Sequence, residues 1–139
     1  MTGKTRKKTN WPKGVSDSGL QALWRKVVRD SGNKTCALQG YGTCGGALEC
    51  HHIKRRNIPH LRYSPANGIL LCQEHHKKAK LRLWRNRVEA HVGLTMDWLD
   101  LMEVKLFPDF LFEKGMTRKE WLASQKAYLT KLLRKYGKE

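Results

Sequence analysis

Four cysteine and histidine positions fall in an order suited to holding a metal ion. Seven residues separate Cys36 from Cys44, and two separate Cys72 from His75. Thiolate and imidazole donors suit zinc, and four of them close the shell of a structural site. The second pair has knuckle spacing. The first is wider than usual, but Gly40, Gly42, Gly45 and Gly46 let the backbone fold tightly around an ion. The alternative is a set of isolated buried thiols, an arrangement from which a short, hydrophilic chain gains little. Cys50, the remaining cysteine, reads as a small apolar residue of a strand.

The histidines pose a second question. Four of the six stand in two doublets, His51-His52 and His75-His76. Neighbours in a strand point to opposite sides, and neighbours in a helix project about 100° apart. Two members of a doublet therefore cannot serve one metal in the same way. One histidine of each doublet could bind a second, catalytic metal, leaving the other member of the first doublet free to take a proton from water. A neutral imidazole is the natural base near pH 7. The competing reading makes two of these histidines ordinary surface residues of a basic protein.

The elements that must position these groups follow from periodicity. Leu20, Leu23, Trp24, Val27 and Val28 recur at helical spacing from Ser16 to a close near Gly32. Leu48 to Ile53 suits a strand, residues 54–68 a loop with Pro59, Pro65 and Asn67-Gly68, and Ile69 to Leu71 a second short strand. Gln73 to about His91 reads as one helix ending near Gly93. Thr95 is placed to cap another helix, running to about Phe107 before Pro108. Thr117-Arg118-Lys119-Glu120 is a capping-box sequence. It is followed by an apolar stripe of Trp121, Leu122, Tyr128, Leu129, Leu132, Leu133 and Tyr136, read as core packing. The expected organisation is a flexible basic arm (1–14), an N-terminal helix (15–35), a metal-stabilised core (36–92) and a helical C-terminal extension (93–139).

Charge points to the partner. The chain carries 28 Lys and Arg against 12 Asp and Glu, a formal net charge of +16. Residues 1–35 and 36–92 each hold +7 of it, and residues 93–139 only +2. A field concentrated around the histidine doublets suits a phosphate backbone; a merely soluble basic surface is the bland alternative. No apolar run approaches the length needed to span a bilayer, and the N-terminus lacks the apolar core of a signal peptide. An intracellular protein with no membrane partner is expected, its cysteines being ligands or free thiols.

The segments "LECHHIKRR", "NGILLC" and "QEHHKK" together resemble the HNH endonucleases, a family with a ββα-metal core and, in many members, a zinc knuckle. The resemblance covers about residues 36–80 and rests on three elements in the right order. It implies an α+β fold: a small ββα-metal core with a structural zinc knuckle, flanked by N- and C-terminal helices. It implies that His51 and His76 hold one catalytic divalent ion (Mg²⁺, Mn²⁺ or Ni²⁺). By the same likeness His52 is the general base, and Asn67 is the central asparagine that holds the loop and helps orient the base. Cys36, Cys44, Cys72 and His75 fall on the knuckle, which holds one structural Zn²⁺. The sequence departs from the family in the wide first cysteine pair and in a histidine as last zinc ligand. The reverse assignment of His51 and His52 stays open at this point.

Lys54, Arg55, Arg56 and Arg62 lie between the motif halves and are expected to bind DNA phosphates, Arg56 foremost; ordinary backbone-contacting charge is the alternative. The expected activity is metal-dependent hydrolysis of phosphodiester bonds in duplex or branched DNA, by nicking or double-strand cleavage. The likeness extends to phage and mobile-element enzymes of packaging, homing and recombination, with a homodimer or a phage protein as further partner. A zinc-stabilised, non-catalytic DNA-binding module is the alternative. A ribosome-associated basic protein would explain the charge but not the doublets.

Overall fold

A computed structural model describes residues 11–32 and 34–137. The chain is α+β, mostly helical around one small antiparallel sheet. Helix α1 spans Asp17–Ser31, capped by the Ser16 side chain, which accepts from the Gly19 amide. Strand β1 is Leu48–His52 and β2 is Gly68–Cys72, paired with His51 opposite Ile69 and His52 opposite Gly68. The connection is not bare loop: it holds a short helix α2, Pro59–Arg62, and a 3-10 turn, Pro65–Asn67.

The pleat assigns the two faces of the sheet. Leu70 joins a large core with Leu20, Trp24, Val27 and Val28 of α1, while Leu71 joins a smaller one with Cys36, Leu38 and Cys72. Gly68 lies where α1 crosses: a Cβ there would sit 2.6 Å from both the Trp24 indole and a Val28 methyl. Only glycine lets the indole lie against this end of the sheet.

After β2 the expected long helix is two, α3 (Gln73–Lys78) and α4 (Arg82–Val92). No glycine or proline marks the break. Ala79 is buried and Leu81 is extended, so the chain turns. The turn sets Trp84 5.3 Å from the His75 ring and sinks Val88 into the smaller core. Burial overrides local propensity here. Helix α5 spans Thr95–Val104, α6 Phe107–Lys114 and α7 Arg118–Tyr136. Three expectations fail locally. Thr95 lies inside the first turn of α5 and caps nothing, and α5 stops three residues before Phe107. Pro108 opens α6 instead of following a helix, because its fixed φ and missing N–H suit a first turn. The capping box of Thr117 and Glu120 forms in full.

Helix α7 runs along α1 and buries Trp121, Leu122 and Leu129; Tyr128 of the expected stripe is half exposed. The proposed basic arm lies outside the described residues as far as residue 10. Trp11 packs on the large core with the Arg118 guanidinium 5.0 Å from its ring, and Lys126 donates to the Gly14 carbonyl.

Candidate metal centre and histidine cleft

The end of β2 and the first turn of α3 bring Cys72 and His75 together, with Cys72 as N-cap accepting from the His75 amide. Cys36 enters from the segment after α1, and Cys44 from the glycine-rich loop. The loop folds back closely: Gly46 has φ +81°, and a Cβ on it would overlap the Gln73 side chain. The four donor atoms lie within 4.8 Å of one another. The His75 Nδ1 is 3.4 Å from Cys36 Sγ, 3.7 Å from Cys44 Sγ and 3.2 Å from Cys72 Sγ. Zinc at ordinary bond lengths would give sulfur–nitrogen edges of about 3.6 Å. The His75 Nε2 donates to the Tyr41 carbonyl at 2.6 Å, which leaves the Nδ1 lone pair to the thiols and any cation among them.

Thiol electrostatics agree with this. Burial and the neighbouring Cys72 and Cys36 push Cys44 up to about 11. Burial raises Cys72 too, but donation from the His75 and Gly45 amides and the His75 side chain outweighs it and brings that thiol down to about 6. One thiolate forms readily; the rest need a cation to share the charge. This closed Cys₃His set can hold a structural metal ion such as zinc.

His76 turns the other way from His75. Its ring stands edge-on to His51, centroids 5.2 Å apart, across the face of β1. Its Nδ1 donates to Glu49 Oε1 at 2.6 Å, leaving Nε2 with a lone pair. Glu49 lies two residues before His51, hence on the same strand face, and sequence reasoning missed it; that period-2 relation was the available signal. The carboxylate is held below its usual range chiefly by the bond from His76. Burial, then the charges of His76 and His52, lower His51 to about 4, so its imidazole is neutral at pH 7.

His52 lies on the opposite face, stacked on Trp24 with ring centroids 3.9 Å apart and planes 7° from parallel. Its Nε2 bonds the Arg62 carbonyl at 3.0 Å. A carbonyl only accepts, so Nε2 carries the hydrogen and Nδ1 the lone pair. Desolvation lowers its pKa, keeping it neutral, although the carbonyl works the other way. Asn67 is fully buried and does not touch His52. Its Oδ1 accepts from the Lys54 amide at 2.6 Å, and its Nδ2 donates to the Lys54 and Leu61 carbonyls. It thereby fixes both ends of the connection whose Arg62 carbonyl orients His52.

His51, His52 and His76 line one cleft of about 390 Å³ with Trp24, Arg25, Arg55 and Arg56. Two of the expected phosphate ligands are engaged elsewhere. Lys54 is 2.6 Å from Asp100 and 2.7 Å from Glu103, its side chain 11 % exposed. Arg62 grips Asp17 through two nitrogens, at 2.8 and 2.9 Å, and donates to the Arg56 carbonyl. The acidic partners on α1 and α5, far away in sequence, take these cations. Arg25, on α1, was not foreseen at the cleft, since nothing in a helical stripe says which site its polar edge will border. Cys50 packs at the margin of the large core as expected.

Among the described residues no helix is long and apolar enough to cross a membrane. No family model, curated protein or solved structure matches this chain.

Proposed function

We propose that the chain is an HNH-type, metal-dependent endonuclease acting on DNA. The observation that carries this reading is the meeting of His51, His76 and a tautomerically fixed His52 in one cleft flanked by arginines. The order β1, β2, α3 beside a Cys₃His set is the one expected of a ββα-metal core with a zinc knuckle.

The residues fit a catalytic divalent ion. His51 is neutral, and His76 presents Nε2 because Glu49 holds Nδ1, an arrangement common behind metal-bound histidines. Two imidazoles leave coordination positions for water and phosphate oxygens, and they admit Mn²⁺ and Ni²⁺ as well as Mg²⁺. Such an ion supplies Lewis-acid stabilisation of the charge that develops on the phosphate and on the departing 3′-oxygen. His52 takes the proton of the attacking water at Nδ1, while Trp24 and the Arg62 carbonyl keep the ring from turning. Arg25, Arg55 and Arg56 neutralise strand phosphates at the cleft. Asn67 is a positioning residue: it holds the backbone that holds His52.

The test is incubation with supercoiled plasmid and Mg²⁺, Mn²⁺ or Ni²⁺, beside an EDTA control and His52→Ala. Conversion to open-circle or linear DNA, lost in both controls, is expected. Binding without cleavage in every metal would replace this reading with a zinc-stabilised DNA-binding module.

A further inference from the structure

A larger cavity, of about 580 Å³, opens on the far side of the 59–67 connection from the histidine cleft. Its walls are aromatic: Trp98 of α5, Phe110 of α6, and Trp121 and Tyr128 of α7. His60 of α2 lines it and is 5 % exposed. The His60 Nε2 bonds the Met102 carbonyl at 2.7 Å and must donate there, so a neutral ring presents its lone pair at Nδ1. Among the described residues that Nδ1 is the one buried side-chain polar atom without a hydrogen-bond partner. Such an orphan calls for a donor. Lys114 is exposed and also lines the cavity, and it places a cation beside the aromatic walls.

We propose that this cavity is a binding site for a nucleobase with its phosphate. A flat heteroaromatic ring fills the space between the aromatic walls. An exocyclic amino group or ring N–H donates to His60 Nδ1, and the attached phosphate meets Lys114. Stacking on aromatic side chains tolerates any base, so the site selects the chemical class more than the sequence. The base comes either from a free nucleotide or from an unpaired position of a nucleic-acid strand. The site shares no lining residue with the histidine cleft and stands whether or not that cleft cuts DNA.

The experiment titrates the full chain with adenosine monophosphate and, separately, with a short single-stranded oligodeoxynucleotide. Tryptophan fluorescence reports, because Trp98 and Trp121 form the walls. Saturable quenching is expected, weakened about tenfold by Tyr128→Ala and weakened also by Lys114→Ala. Both substitutions lie at exposed positions, and unchanged melting shows that the fold persists. The ¹⁵N resonance of His60 Nδ1 should move on ligand addition. Sensitivity to the two substitutions with the mononucleotide assigns a free nucleotide; sensitivity with the oligonucleotide alone assigns a strand base. Flat fluorescence with both probes, or quenching that neither substitution weakens, overturns the proposal.

Discussion

His75 and His76 are neighbours on one helical turn and belong to two different environments. His75 is fully buried, its Nδ1 among three sulfurs and its Nε2 held by a carbonyl. His76 is partly exposed, paired with a carboxylate and facing His51 across an open cleft. The first environment has four soft donors and no room for water, which suits an ion that holds the fold. The second has few donors and open space, which suits an ion that exchanges ligands. Burial and donor number separate a structural centre from a reactive one, even where adjacent residues supply both.

The largest contrast should come from emptying the closed site. Cys72→Ser, or a strong chelator, is expected to abolish cooperative thermal melting, since binding of a structural metal is itself folding free energy of several kcal/mol or more. Metal analysis of the folded protein should return about one zinc per chain; a metal-free protein with an unchanged melt would erase the distinction between the two regions. In the open site, His52→Ala should lower cleavage by about 10²–10⁴ while the melt stays near that of the parent. A loss of fold instead would mean that the Trp24 stack is chiefly structural.

Asn67→Ala sharpens the comparison from between the two sites. It leaves the buried amide of Lys54 and the carbonyls of Lys54 and Leu61 without their partner, at a cost of about 3 kcal/mol in urea unfolding. A change below the error of that measurement would remove its positioning role. Glu49→Gln is expected to weaken divalent-ion affinity at the cleft about tenfold, with zinc content unaltered; unchanged affinity by calorimetry would detach Glu49 from the site.

The smallest effect concerns Asp17. Its carboxyl lies well below the usual range because Arg62 donates to it, with Tyr63 and Gln21 adding to this against a desolvation cost. A depressed folded pKa contributes stability above the unfolded value near 4, and that contribution is lost as pH falls through the folded value. Asp17→Asn should therefore cost about 1 kcal/mol at pH 7, allowing for solvent screening, and progressively less under acid. A difference that is constant down to acid pH would refute the linkage.

The zinc ligands and the histidine doublets were legible because ligand chemistry depends on residue type and short spacing, and both are written in the chain. Helix α1, the two strands and the capping box of α7 were legible for the same reason: periods of 3.6 and 2 and a cap signal are local. The break at 79–81 was not, because its cause is the burial of Trp84 and Val88 against groups from other elements. Nor could the sequence tell that Lys54 and Arg62 face acids on α5 and α1 while Arg55 and Arg56 stay at the cleft. By itself the sequence determined which donors exist and in what order they come. Only the tertiary structure decided which donor faces which partner. That choice rests on packing between segments tens of residues apart, which no local pattern records.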